Sequence, residues 1–244
     1  MRHKKLDILC YAQGTRSAHC LPSWVPDWSF PLPEDVLGHT KEMETPYGYK
    51  AGSSAASDFS FEEGSDALIA EGKTFDTVAE VGPLYEMGAD DCSTCLKRWE
   101  SMAAFGRDEN TAEEIFDVFM DTIFARTPKP YQRWYAIWNR VILNEQPGKF
   151  DKQEIAEAMM VQELVGRACN ARVFFKTKKG YLGLGPGEVQ KGDHVVVLFG
   201  GSIPFILSQN PDSYHLMGEC YVGGIMDGEV LPDVNVGSVM FRIL

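Results

Sequence analysis

The chain has 244 residues, with 23 Lys and Arg against 35 Asp and Glu, so its formal net charge is −12. With 44% hydrophobic and 24% charged side chains, it has the composition of a globular protein that needs no disulfide scaffold. The longest nearly apolar run, Val195 to Leu207, contains Gly200, Gly201 and Pro204. It is shorter than the about 20 residues that a helix needs to cross a bilayer. We therefore expect no membrane partner.

The start of the chain has a basic head but only a short apolar fragment behind it, interrupted by Asp7. This pattern does not fit a secretory signal, so we expect a cytoplasmic protein. The acidity is regional, because residues 58–121 hold 17 acidic and four basic side chains, a net charge of −13. Such a region repels a phosphate backbone, and we expect no nucleic-acid partner.

Residues 1–66 are predicted to form an extended or loop-like N-terminal segment that carries the motif LPSWVPDW. Pro26 forces the residue before it out of the helical region, so Trp24 and Trp28 lie on a stiff extended stretch. Trp24, Pro26, Asp27 and Trp28 are candidate anchors. They either dock into another protein or hold this segment against its own fold.

Residues 67–91 resemble a β-hairpin, since ALIAEG and KTFDTVAEVG alternate on either side of Gly72-Lys73. Residues 92–170 follow a helical period and predict three to four helices. One begins at a capping box, Thr111-x-x-Glu114, another covers the aromatic stripe from Tyr131 to Ile142, and a third runs from Asp151 to Cys169.

Cys92 and Cys95, in the motif CSTC, have the spacing of a redox pair. The residues before them, MGADD, form a polar turn whose acids would raise the pKa of a thiol, which argues against redox catalysis. No second CxxC and no paired histidines accompany them in the sequence, so we expect no zinc site.

Residues 171–244 return to short strands separated by turns, one of them at Lys178-Lys179-Gly180. The six predicted strands are RVFFKT, YLGLG, HVVVLFG, PFILS, YHLMGECYV and VGSVMFRI. Strands of this length and spacing favour a small antiparallel β-barrel or sandwich. The predicted fold class is therefore α+β: one composite domain in which the early hairpin and the C-terminal β-module enclose an inserted helical segment.

Signatures of the common enzyme classes are missing from the sequence, including GxxxxGK[ST], HExxH and GxSxG. Asp227 and Glu229, in MDGE, are neighbouring carboxylates that fit a polar turn around Gly228. Together with His215 they are the candidate polar groups of an enzyme pocket. We expect no catalytic residues, no cofactor and no metal.

Four blocks, in order, resemble the region C-terminal to the HET domain in fungal heterokaryon incompatibility proteins. They are LPSWVPDWS at 21–29, GYLGLGP at 180–186, KGDHVVVLFGGSIPFIL at 191–207 and YHLMGECYVGGIMDGE at 214–229. The family places its HET domain ahead of the first block, where this sequence has about 20 residues, so we expect the HET domain to be absent. Ser208 also stands where family members commonly have Arg.

The resemblance implies a non-catalytic C-terminal module that acts in self/non-self recognition as a partner-sensing or regulatory region, with a HET domain in cis or in trans as a candidate partner. Two alternatives stay open at this point. One is an enzyme or small-molecule-binding protein with a pocket between the helices and the β-module. The other is a gene fragment without a function of its own.

Overall fold

A computed structural model describes residues 6–12, 21–29, 36–37, 48–52, 55–56, 59–89, 92–104, 112–125, 136, 140, 150–231 and 237–244. Over these residues the chain is α+β, as predicted, and contains three α-helices and nine β-strands. The helices are α1 (Cys92–Ala104), α2 (Ala112–Ile123) and α3 (Lys152–Cys169), preceded by a 3-10 helix, Asp7–Tyr11. The strands are β1 (Phe59–Phe61), β2 (Leu68–Tyr85), β3 (Arg172–Thr177), β4 (Leu182–Pro186), β5 (His194–Leu198), β6 (Phe205–Gln209), β7 (Tyr214–Glu219), β8 (Tyr221–Val222) and β9 (Val239–Ile243).

Five of the strands form a closed ring in the order β2, β5, β6, β7, β9 and back to β2. All their pairings are antiparallel except that of β7 with β9, which is parallel and consists of the single pair Tyr214–Ile243. We call this place the seam. Beyond the ring, the C-terminal half of β2 continues the sheet through β3, β4 and β8. The prediction of a small, largely antiparallel barrel is confirmed.

The hairpin predicted around Gly72-Lys73 is wrong, because β2 runs without a turn from Leu68 to Tyr85. A Cβ atom on Gly72 would lie 2.6 Å from the carbonyl oxygen of Val197. The glycine therefore allows β5 to approach closely and does not reverse the chain. The hairpin lies earlier, where β1 pairs with the start of β2.

The later strands agree with the pattern of the sequence, with one difference. The predicted strand YHLMGECYV is divided into β7 and β8 at Cys220, whose N–H donates to the Pro204 carbonyl at 2.9 Å. The turn at Lys178-Lys179-Gly180 joins β3 to β4 as predicted, and Gly180 has a φ of 90°.

Helix α3 begins one residue after Asp151, whose side chain accepts a hydrogen bond from the Glu154 N–H at 2.8 Å. Glu154 accepts in return from the Asp151 N–H at 3.2 Å, which completes a capping box. Helix α2 is also confirmed, but the Thr111 cap lies outside the described residues. Of the predicted helix from Tyr131 to Ile142, only residues 136 and 140 are described, and both are helical.

A single apolar cluster receives side chains from all five strands of the ring and so fills its interior. The ring strands contribute Leu68, Ala70, Val196, Leu198, Phe205, Leu207, Leu216, Phe241 and Ile243. The helices join the same cluster through Trp99 of α1, which is fully buried and stacks on Phe174 of β3 with ring centroids 5.7 Å apart. None of the described helices is both long and apolar enough to cross a membrane.

Candidate functional site

The segment that carries the LPSWVPDW motif lies across the seam of the ring. The Ser23 hydroxyl donates to the carbonyl oxygen of Leu244, just after β9, and accepts from the Leu216 N–H of β7 at 2.9 Å. Ser23 thus connects the two strands where their own ladder is reduced to one pair. The only local signal for Ser23 in the sequence is that it is a small polar residue within an aromatic motif.

Trp24 joins the same segment to the loop between β1 and β2. Its indole N–H donates to the Asp66 carbonyl at 2.9 Å, and its ring centroid lies 5.4 Å from that of Phe61. The side chain is partly buried against the core cluster. Trp24 therefore both fixes this segment and forms part of the surface around Phe61.

The end of the motif is held in a turn by Asp27, which is buried. Its Oδ1 accepts from the Ser29 N–H at 3.0 Å and from the Ser29 hydroxyl at 2.6 Å. Pro26 is half-buried beside it. Trp28, in contrast, is 60% exposed, with its ring centroid 6.0 Å from that of Tyr11. Of the four predicted anchors, only Trp28 mainly faces solvent, and its interaction role stays a prediction.

A buried ion pair lies on the barrel where β3 begins and β7 ends. Arg172 donates to Glu219 Oε1 at 2.8 Å, and the same oxygen accepts from the Leu37 N–H at 2.5 Å. Burial, with Glu219 nearby, raises the pKa of the Cys10 thiol well above its usual range. Cys10 therefore stays protonated, and this cluster holds the N-terminal 3-10 helix and residue 37 against the barrel.

The predicted polar turn is present, and its carboxylates are exposed. Glu229 accepts a hydrogen bond from the Asp227 N–H at 2.7 Å, and Gly228 between them has a φ of 97°. His215 lies on β7 opposite Ser208, and its partial burial lowers its pKa. The described part of the chain contains no group of three His, Cys, Asp or Glu side chains arranged to hold a metal.

The CSTC pair opens helix α1, and residues 86–89 form a turn directly after β2. The Cys92 thiol donates to the Glu86 carbonyl at 2.9 Å, while Cys95 is buried. None of the five described cysteines forms a disulfide.

Residues 149–235, which contain α3 and strands β3 to β8, match the family model described as the Het-6 beta-barrel domain. The chain is also similar to heterokaryon incompatibility protein 6, OR allele, of Neurospora crassa. The two are 50% identical over 60 residues, which are 23% of this chain and 9% of that protein. No solved structure matches the chain. The resemblance to fungal heterokaryon incompatibility proteins is therefore confirmed for residues 149–235, which include α3 and strands β3 to β8.

Proposed function

We propose that this chain acts as a non-catalytic recognition module in a heterokaryon incompatibility response in the fungal cytoplasm. It senses a protein partner, for which a HET domain in cis or in trans is the first candidate. The chain's match to a relative whose name assigns it to heterokaryon incompatibility supports the biological setting. The relative is far longer than the matched stretch, so the role of the whole relative does not transfer by itself.

The observation that carries the partner-sensing role is the exposure of Trp28. Ser23 fixes the segment to the barrel, Trp24 fixes it to the loop between β1 and β2, and Asp27 holds its end in a turn. The Trp28 indole nevertheless remains 60% exposed. Exposed aromatic side chains on a rigid support bind proteins at low entropic cost, and Trp is enriched among the residues that dominate interface energies.

The state of the buried nucleophiles supports a non-catalytic role. Burial raises the pKa of the thiols of Cys10, Cys169 and Cys220, which keeps them protonated and poorly nucleophilic. Arg172 and Glu219 are engaged with each other inside the fold. The exposed carboxylates Asp227 and Glu229 lie on a turn in which the Asp227 N–H donates to the Glu229 carboxylate.

The proposal is tested by expressing the chain in Neurospora crassa strains that carry or lack the OR allele of heterokaryon incompatibility protein 6. We expect the wild-type chain to change the frequency of growth-arrested transformants in one background only. Trp28→Ala should remove that change, with protein levels matched by immunoblot. A chain that behaves as the empty vector in both backgrounds would overturn the proposal.

The matched control variants are Asp227→Asn and Glu229→Gln, which alter the only turn that the sequence offered as an acid–base pair. We expect both to behave as the wild-type chain. Loss of the effect in these variants, with Trp28→Ala unchanged, would instead favour an enzyme.

A further inference from the structure

Trp28 and Phe61 are the two most exposed aromatic side chains in the described part of the chain, at 60% and 61%. They are connected through Trp24, whose ring packs on Phe61 and which lies four residues before Trp28 in the same segment. The Cα atoms of Trp24 and Trp28 are therefore at most about 14 Å apart. We call Trp24, Trp28 and Phe61 the aromatic surface.

The aromatic surface is rigid before any partner arrives. The Trp24 indole is tied to the Asp66 carbonyl, the Trp28 ring lies against Tyr11, and Phe61 packs edge-on against Phe59 at 6.1 Å. Pro26 further limits the backbone between the two tryptophans. A surface that is already ordered loses little conformational entropy when it binds.

The charges beside the aromatic surface are negative. The loop between β1 and β2 carries Glu62, Glu63 and Asp66 next to Phe61 and Trp24, and Glu63 and Asp66 are exposed. Arg242 neutralises only Glu62, to which it donates from Nε and Nη2. Since Glu63 and Asp66 have negative charges that Arg242 does not neutralise, and residues 58–121 of the sequence have a net charge of −13, the complementary ligand is a cation.

We infer that the aromatic surface binds an arginine- or lysine-bearing segment of the partner protein. The cationic side chains lie over the rings of Trp28 and Phe61, and their charges face Glu63 and Asp66. Arginine fits best, because its planar guanidinium both stacks on an aromatic face and pairs with a carboxylate. This inference rests on the proposed function, since it names the chemistry of the partner that the module senses.

The test uses the full chain and a short fluorescein-labelled peptide of alternating Arg and Gly residues, with binding followed by fluorescence anisotropy. A peptide in which citrulline replaces Arg keeps the shape and loses the charge. We expect the Arg peptide to bind about tenfold more tightly than the citrulline peptide, and its affinity to fall as the ionic strength rises. Equal binding of the two peptides, or no binding up to about 1 mM, overturns the inference.

Variants of the chain locate the site. Trp28→Ala combined with Phe61→Ala, and Glu63→Gln combined with Asp66→Asn, should each weaken binding by about tenfold. Met159→Ala is the matched control, because Met159 is 62% exposed and lies on α3, which contributes no residue to the aromatic surface or to this loop. If all variants bind as the wild type, the peptide binds elsewhere and the inference is wrong.

The two proposals fail separately. If the Glu63→Gln and Asp66→Asn variant loses peptide binding but keeps the growth effect in Neurospora crassa, the basic ligand is wrong and the recognition role stands. If the wild-type chain binds the peptide but has no growth effect, the recognition role is wrong. Binding of a short single-stranded DNA in place of the Arg peptide would overturn the inference, since the negative surface should repel it.

Discussion

Two Arg–Glu pairs in this molecule have nearly the same length and opposite surroundings. Arg172 and Glu219 are 2.8 Å apart with side chains 9% and 5% exposed, while Arg242 and Glu62 are 2.7 Å apart with side chains 34% and 39% exposed. The first pair joins two strands inside the fold, and the second connects β9 to the loop after β1. The nearly equal nitrogen–oxygen distances do not indicate how much each pair contributes to stability.

The difference lies in what remains when one partner is removed. If Glu219 is lost, the Arg172 guanidinium keeps its charge in a site that water barely reaches, and the N–H of Leu37 loses its acceptor. If Glu62 is lost, Arg242 is hydrated by the surrounding water. Removing one partner therefore destabilises the fold much more at the buried pair than at the exposed pair.

The largest expected effect comes from breaking the buried pair. Glu219→Ala should lower the free energy of unfolding by about 3–5 kcal/mol, measured by urea denaturation. The double variant Arg172→Met/Glu219→Leu should recover most of that loss, because it removes both charges and keeps apolar volume. A double variant no more stable than Glu219→Ala would show that the uncompensated charge is not the cause.

Removing a buried, uncharged hydrogen-bonding group should lower the free energy of unfolding by an amount between the losses expected at the two ion pairs. Ser23→Ala removes the hydrogen bonds to Leu216 and Leu244 at the seam, and we expect it to cost about 1–3 kcal/mol of unfolding free energy. Ser101→Ala is the control, because that exposed hydroxyl bonds only the carbonyl of Lys97 within its own helix, and it should change stability by less than about 0.5 kcal/mol. Equal losses in the two variants would contradict a special role for the seam.

The partly buried His215 should have a smaller effect on stability, and this effect should depend on pH. Burial lowers the pKa of His215 below 6.5, so the unfolded chain binds a proton more readily than the folded one. The stability associated with a neutral, partly buried His215 is fully present above pH 6.5. It is lost as the pH falls through the lowered pKa of His215 in the folded protein. We expect His215→Gln to flatten the fall of Tm in this acidic range. An unchanged slope would rule out His215 as its source.

The smallest effect on stability is expected from breaking the exposed pair of Arg242 and Glu62. Hydrogen bonds from Arg242 and Ser65 lower the pKa of Glu62 to about 2, so its contribution is present above pH 4.5 and disappears as the pH falls toward about 2. Glu62→Gln should shift Tm only slightly at neutral pH, and the shift should vanish in concentrated salt. A loss as large as that of Glu219→Ala would remove the contrast between the two pairs.

Local signals in the sequence were sufficient for many elements of the fold. Alternation of apolar residues predicted the strands after residue 171, and the helical run from Asp151 to Cys169 predicted α3. The local signals gave a wrong prediction at Gly72. In the sequence, a glycine that allows two strands to approach closely cannot be distinguished from a glycine in a turn. Only the position of Val197, far away in the sequence, distinguishes the two.

The main contacts of the site could not be predicted either, because their partners are far apart in the sequence. Arg172 and Glu219 are 47 positions apart, and neither has a neighbour in the sequence that indicates burial or pairing. Ser23 bonds residues 193 and 221 positions away. The motif itself predicted a stiff aromatic segment, but which of its tryptophans faces solvent depends on the loop that packs against it.

The length of β2 also bears on the order in which the chain can assemble. Its first half pairs with β9 through Leu68 and Ile243, and its middle pairs with β5 through Gly72 and Leu198. Contacts over such separations in sequence make folding slow and delay it until late in synthesis. The nascent chain must therefore keep the unpaired edges of β2 from aggregating until residues as far as Ile243 have left the ribosome, because the barrel closes only when β9 can pair with β2.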